Sequence, residues 1–184
     1  MAASKVAIRY ASSFLDTAIE KNLLDKVSQD FDLIYKTLNQ SADLRRAIKS
    51  PIIKKETKQS IFAAVFKDKV NDETFSYLDF VIGKGREEIL QEILEKFFYL
   101  RDEYLGIANV HVITAFNLSP EQKEQLKQRF ELILRKQIVL TYSVDEKIIG
   151  GFVAKVGDTI YNASVLHQLD LLKKQFLHGS VYLN

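Results

Sequence analysis

Three histidines, His111, His167 and His178, are the imidazoles of this chain, and no cysteine accompanies them. Metal sites built on histidine place their ligands at short, regular spacings, such as i and i+4 on one helix face. These three residues show no such spacing. His111 reads as a strand residue, and His167 and His178 as members of a solvated helix face. The lack of cysteine removes disulfides, thiol nucleophiles and thiolate-bound metals. Gly83-Lys84-Gly85-Arg86 has the composition of a phosphate loop. A phosphate loop, however, follows a strand and sets its last glycine directly before Lys and Ser or Thr. This segment follows a helical pattern and lacks that ending, so it reads as a helix-to-helix turn. Lys54-Lys55 and Lys58 form a small basic cluster, interrupted by Glu56, that reads as a solvated helix start. The carboxylates lie on helix faces opposite apolar stripes, and no pair stands apart for acid–base work. No Gly-x-Ser-x-Gly elbow is present. No catalytic residue, metal or cofactor is therefore expected.

Composition sharpens the exclusion. The chain has 184 residues, 47% hydrophobic and 27% charged, with a net charge of +2. That is ordinary globular composition, and the charge is too small to predict a nucleic-acid partner. Apolar runs fall far short of the roughly 18 residues that span a bilayer.

The pattern predicts six consecutive helices over residues 1–105. Helix one covers Lys5 to Glu20. Helix two carries Leu23, Leu24, Val27, Phe31, Ile34 and Leu38 at three-and-four spacing. A short third helix stops before Ser50-Pro51, because proline disfavours helix at the residue ahead of it. Helix four runs through Phe62 and Phe66. Helix five starts near Asp72 and ends at Gly83-Lys84-Gly85, and helix six stops at Gly106. Beyond Gly106 the period changes. Val110, Val112 and Thr114 alternate with His111 and Ile113, giving a strand. Ser119-Pro120-Glu121-Gln122 is a helix start with N-cap, proline and capping-box glutamine in place. The helix it opens is expected to bury Leu126, Phe130, Ile133 and Leu134. Strands follow at 138–144, 151–156 and 159–161, the last two joined at Gly157-Asp158. A final helix sets Val165, Leu169, Leu172 and Phe176 on one face. The expected fold is α+β and mostly helical. Its expected domains are an N-terminal helical one over 1–105 and a small C-terminal one with a short sheet over 106–184.

Two of these helices are apolar too far round. At about 100° per residue, the apolar residues of helix one, among them Val6, Ala7, Tyr10, Ala11, Phe14 and Ile19, cover an arc of roughly 220°. Helix five, with Phe75, Tyr77, Leu78, Phe80, Val81 and Ile82, covers a similar arc of roughly 220°. Either both helices lie centrally in the core, or one flank of each lines a groove for a partner's amphipathic helix.

The segment from Val144 to Val165 spends glycine on shape. Gly150-Gly151 suits a sharp turn and Gly157-Asp158 a hairpin, and no reactive group accompanies them. Here the chain resembles a known family. Val144-Asp145, Ile148-Ile149-Gly150-Gly151-Phe152, Gly157-Asp158 and Ser164-Val165 with Leu169 and Leu172 are similar to the ordered motif of the ATP synthase delta subunit family. That family includes the mitochondrial oligomycin sensitivity-conferring protein. Arg9-Tyr10-Ala11, Ser50-Pro51, Gly85-Arg86 and Leu118-Ser119 extend the resemblance over most of the chain. Asn162 stands where the family usually has Asp, and Lys84 where Asn is common.

The resemblance implies a six-helix N-terminal bundle, and a non-catalytic stator subunit on the cytoplasmic face of the membrane. It implies that helices one and five hold the N-terminal helix of an alpha subunit, and that the C-terminal region meets the b subunits of the stalk. Helical geometry and this analogy together nominate Ala7, Tyr10, Ala11, Phe14, Phe80 and Val81 as groove contacts. The rival expectation is a helical adaptor of another assembly with a similar groove.

Overall fold

The structure is a computed structural model that describes residues 5–179, with side chains to Leu177. The outer ends of the two expected domains, residues 1–4 and 180–184, lie outside the described residues, as does the side chain of His178. Eight α-helices and one four-stranded sheet are present among the described residues, so the fold is α+β and mostly helical. The chain divides into two compact units between Arg101 and Asp102, inside the last turns of the sixth helix.

The first unit holds α1 (Lys5–Glu20), α2 (Leu24–Gln40), α3 (Ala42–Lys49), α4 (Lys55–Phe66), α5 (Asp72–Gly83) and most of α6 (Leu90–Tyr104). Their ends follow local chemistry. Ser41 caps α3 by accepting from the Leu44 amide, and Asn71 caps α5 by accepting from the Glu73 amide. The segment Gly83-Lys84-Gly85-Arg86 is a helix stop. Gly85 has φ of 65°, its amide bonds to the Ile82 carbonyl, and the Arg86 amide bonds to the Val81 carbonyl. That pair of bonds is the Schellman closure, which needs the left-handed conformation that glycine adopts freely.

Buried residues from all six helices make one core cluster, and aromatic rings stack through it. Phe14 lies 3.9 Å from Tyr77 and 5.1 Å from Phe31, and Phe31 lies 4.5 Å from Phe97. Three acidic side chains depart from the expected solvated faces: Asp30, Glu87 and, near the end of α6, Asp102. Asp30, buried in the middle of α2, accepts from the Asn71 amide at 2.9 Å and the Thr74 hydroxyl at 2.8 Å. A carboxylate at a helix start satisfies orphan amides and opposes the positive end of the helix dipole. Glu87 is buried too, and its partner corrects the reading of Lys58. That lysine is 4% exposed and ion-paired to Glu87 at 2.7 Å. The sequence pattern hid this because Lys58 sits on α4 one turn before Phe62, on the face that turns into the core.

The second unit is a sheet ordered β2-β1-β3-β4, made of β1 (Ile107–Thr114), β2 (Gln137–Val144), β3 (Gly151–Val156) and β4 (Thr159–Ser164). β1 and β2 are parallel, joined through α7 (Pro120–Leu134); the other pairs are antiparallel. The capping box at Ser119 and Gln122 is formed in both directions. Phe130 of α7 packs with Val110, Val112, Ile138 and Ala154. Of the four residues expected to be buried on α7, Phe130 is in the core and Leu126 and Leu134 pack against it, whereas Ile133 is 69% exposed. Ile133 instead borders an open hollow with Phe152, Tyr161 and Ala163 of β3 and β4. The last helix, α8 (Val165–Gly179), sets Val165, Leu169, Leu172 and Phe176 in one row, and all four are exposed.

Candidate partner-binding surface

Helices α1 and α5 run antiparallel, side by side. Three contacts in register establish this: Tyr10 with Phe80 at 6.0 Å, Phe14 with Tyr77 at 3.9 Å, and Lys21 with Glu73 at 2.6 Å. As residue numbers rise on α1 they fall on α5. The pair is tied by the Tyr77 hydroxyl, which donates to the Tyr10 carbonyl oxygen at 3.0 Å. Burial pushes the Tyr77 phenol well above the usual tyrosine range, and the neighbouring Tyr10 adds to the shift. Tyr77 is therefore a fixed neutral donor at physiological pH.

The six nominated groove residues fall into two groups. Ala7, Ala11, Phe14 and Val81 are buried in the core cluster, and the two alanines keep the α1 surface low there. Tyr10 packs on the edge of that cluster and Phe80 is 49% exposed, so these two form the accessible rim. Val6, one turn ahead of Tyr10, adds a partly exposed apolar side chain. Lys84 stands over the Phe80 ring at 5.6 Å and puts positive charge at one end of the strip. The wide apolar arcs are thus divided between core and surface. Their centres are core, and their facing flanks make an uncovered aromatic strip. Arg9 is exposed on α1.

The glycine motif comes together at one end of the second unit's sheet. Gly151 pairs with Ser164 across β3 and β4. Its φ is 72°, and a Cβ there would sit 2.3 Å from the Ala163 carbonyl oxygen. Only glycine fits both the dihedral and the space. The Gly150 carbonyl accepts from the Val165 amide at 2.9 Å, fastening the start of α8. Just before the two glycines, Ile149 has φ of 67° and ψ of −42°, and the Gly150 amide donates back to the Ile148 carbonyl at 2.8 Å. That is a γ-turn, a strained conformation for a β-branched residue. Ser164 is buried, and its hydroxyl accepts from the His167 amide at 3.2 Å, which caps α8. Asn162 supports it by accepting from the Ser164 amide and hydroxyl at 3.1 and 2.7 Å. Its amide oxygen does what one oxygen of a carboxylate would do. Gly157 and Asp158 form the exposed hairpin tip at the far end.

The residues with chemical potential are dispersed. The His111 ring lies on the exposed face of β1, 3.0 Å from the Thr141 hydroxyl and 3.1 Å from the Ser143 hydroxyl, and His167 is on α8. No group of three His, Cys, Asp or Glu side chains gathers as a metal site among the described residues. Within the same residues no helix is long and apolar enough to cross a membrane. The buried Asp30 and the Lys58–Glu87 pair were not foreseen. A charged residue inside an apolar helix stripe was the available signal for both.

Comparison with known proteins agrees with the motif. The family model described as ATP synthase delta (OSCP) subunit matches residues 6–176. The chain is 33% identical to ATP synthase subunit delta of Chloroherpeton thalassium, over 97% of each chain. It is 37% identical to that of Pelodictyon phaeoclathratiforme, over 92% of this chain and 95% of the relative. Its fold matches a chain in the cryo-EM structure of the Toxoplasma gondii mitochondrial ATP synthase hexamer, with a TM-score of 0.73 and 22% identity over 95% and 98% of the two chains. With its motif assembled at one end of the sheet and nearly its whole length matched, the chain belongs to the ATP synthase delta (OSCP) subunit family.

Proposed function

We propose that this chain is the non-catalytic stator subunit that ties the catalytic head of a proton-translocating ATP synthase to its peripheral stalk, on the cytoplasmic face of the membrane. Family membership supports a structural role within that complex. The strip between α1 and α5 receives the N-terminal helix of an alpha subunit, and the second unit receives the ends of the b subunits. The observation that carries the first assignment is the juxtaposition of Tyr10 and Phe80 on the facing flanks of α1 and α5. Both rings have walls of core residues behind them and are accessible in front.

The mechanics follow from this geometry. The rotor puts torque on the head, and the stator link must not release on the timescale of rotation. Slow release comes from buried aromatic area at the centre of an interface more than from rim charge. Phe80 and Tyr10 supply such area with few rotamers to freeze. The stacked rings of Phe14, Tyr77, Phe31 and Phe97 behind them resist deformation, since close-packed cores transmit strain. Calorimetric titration with a peptide of the alpha-subunit N-terminus tests the reading. Saturable one-to-one binding is expected, and absence of heat at any attainable concentration counts against it.

A further inference from the structure

The apolar arc of α5, roughly 220° wide, leaves packing alone several near-equivalent settings of that helix about its axis. Directional bonds from two other helices select one of them. At the start of α5, the Asp30 carboxylate of α2 accepts from the Asn71 amide at 2.9 Å and the Thr74 hydroxyl at 2.8 Å. Asp30 and Thr74 are both buried. At the end of α5, the Lys55 ammonium of α4 donates to the Gly83 carbonyl oxygen at 2.6 Å. A carboxylate thus stands at the positive end of the α5 dipole and an ammonium at the negative end. Lys58, on the same side of α4 as Lys55, holds Glu87 just past the turn that follows α5. The basic cluster at the start of α4 therefore serves the junction between α5 and α6.

We propose that Asp30 and Lys55 are positioning residues for the strip between α1 and α5: they fix the register of α5 so that Phe80 stands beside Tyr10. This rests on the reading of that strip as a helix-binding surface. A slip of one residue moves a helix about 1.5 Å along its axis and turns it by about 100°. On α5 it would put Asp79 or Val81 where Phe80 now meets Tyr10. Apolar contacts are non-directional and tolerate such a slip, whereas hydrogen bonds weaken steeply with misalignment. The same slip takes the Asn71 amide and the Thr74 hydroxyl off the Asp30 carboxylate. Those groups are shielded from water, so a lost partner is not replaced. Selecting one register among several is the best-attested use of a buried polar contact. The Lys55 bond is exposed and weaker, but it acts on Gly83, one turn from Phe80.

The test uses the full chain, the alpha-subunit N-terminal peptide, and nitroxides on Ser13→Cys of α1 and Ser76→Cys of α5. Both positions are exposed, and the chain has no cysteine of its own. Asp30→Ala is expected to shift or broaden the distance between the labels. It is also expected to weaken the peptide about tenfold, the loss when α5 holds its register about a tenth of the time. Asp30→Asn keeps an accepting oxygen and is expected to restore most of the affinity. Lys55→Met is expected to weaken the peptide about threefold, and Lys55→Arg to restore it. Lys55 is exposed, so Lys55→Met carries the test even where Asp30→Ala fails to fold. Ile34→Val, a buried change one turn along α2, lowers stability without removing a polar bond to α5 and is expected to leave both readouts unchanged. Unchanged label distances in both Asp30→Ala and Lys55→Met overturn the positioning role, as does an equal loss of affinity in Ile34→Val. Shifted distances with unchanged affinity overturn its connection to the strip. A wild-type chain that binds no alpha peptide overturns the helix-binding reading, and the label distances still decide the register.

Discussion

The hydroxyl of Tyr77 donates to the carbonyl oxygen of Tyr10 at 3.0 Å, which fastens α5 to α1 alongside the contact between Tyr10 and Phe80. The raised pKa of Tyr77 gives this bond a pH signature. An unfolded tyrosine ionises near 10, and the folded one ionises later. The stabilisation is fully present below about pH 10 and is lost as pH climbs from there through the folded pKa. Tyr77→Phe is expected to cost ~1 kcal/mol at neutral pH and to flatten the alkaline fall in stability. Urea melts between pH 8 and about 11 check this. Parallel curves for the two proteins would contradict it.

Lys58 and Glu87 form a buried ion pair that joins α4 to the 3-10 turn ahead of α6. One Glu87 oxygen, Oε2, is buried and has no hydrogen bond among the described residues. Removing the lysine strands the carboxylate, so Lys58→Met is expected to cost ~3–5 kcal/mol in chemical denaturation. Lys58→Met with Glu87→Leu is expected to recover most of that loss, because the charge to be desolvated is gone. Equal destabilisation by the single and double changes would contradict the account.

Gly151 is fixed by two constraints, its φ of 72° and the Ala163 carbonyl oxygen 2.3 Å from where a Cβ would stand. Gly151→Ala is expected to cost more than the ~1–3 kcal/mol of the backbone alone, since β4 must also move. Gly85→Asn is the control. It shares the positive φ, nothing lies within 4 Å, and Asn is tolerated at that helix-stop position. Amide exchange across β3 and β4 reads the difference.

The elements were legible from period and punctuation. The break at Ser50-Pro51, the capping box at Ser119 and the helix stop at Gly85 are each local chemistry, and the structure shows each in place. The wide arcs of α1 and α5 were legible too, but their division into core and rim was not. A periodic pattern shows that Ala7, Tyr10 and Phe14 share a flank. It does not show that Phe14 is stacked under Tyr77 while Phe80 stays open. Lys58 and Asp30 were misread for the same reason. Their partners are 29 and 41 to 44 residues away in sequence, and only the tertiary fold brings them together. Ile133 was assigned to the core because its helix is amphipathic, whereas one helix cannot cover four strands.

Ser164 and Asn162 form a relay that starts α8. Ser164→Ala is expected to destabilise that helix by ~1 kcal/mol, the usual worth of an N-cap. Asn162→Asp keeps the accepting oxygen and adds negative charge at a helix start, so it is expected to leave α8 intact or strengthen it slightly. Hydrogen exchange of the amides from Val165 to Leu169 measures both. Faster exchange in Asn162→Asp would contradict the relay.

The central claim is that the strip between α1 and α5 holds a helix of the catalytic head. The most direct measurement is a calorimetric titration of the alpha-subunit N-terminal peptide into the wild-type chain and into Tyr10→Asp and Phe80→Asp. The account predicts one-to-one binding by the wild type. It also predicts at least ~1.4 kcal/mol, a tenfold loss, in each variant, with the fold retained by circular dichroism. No binding by the wild type, or equal affinity in all three proteins, would contradict it.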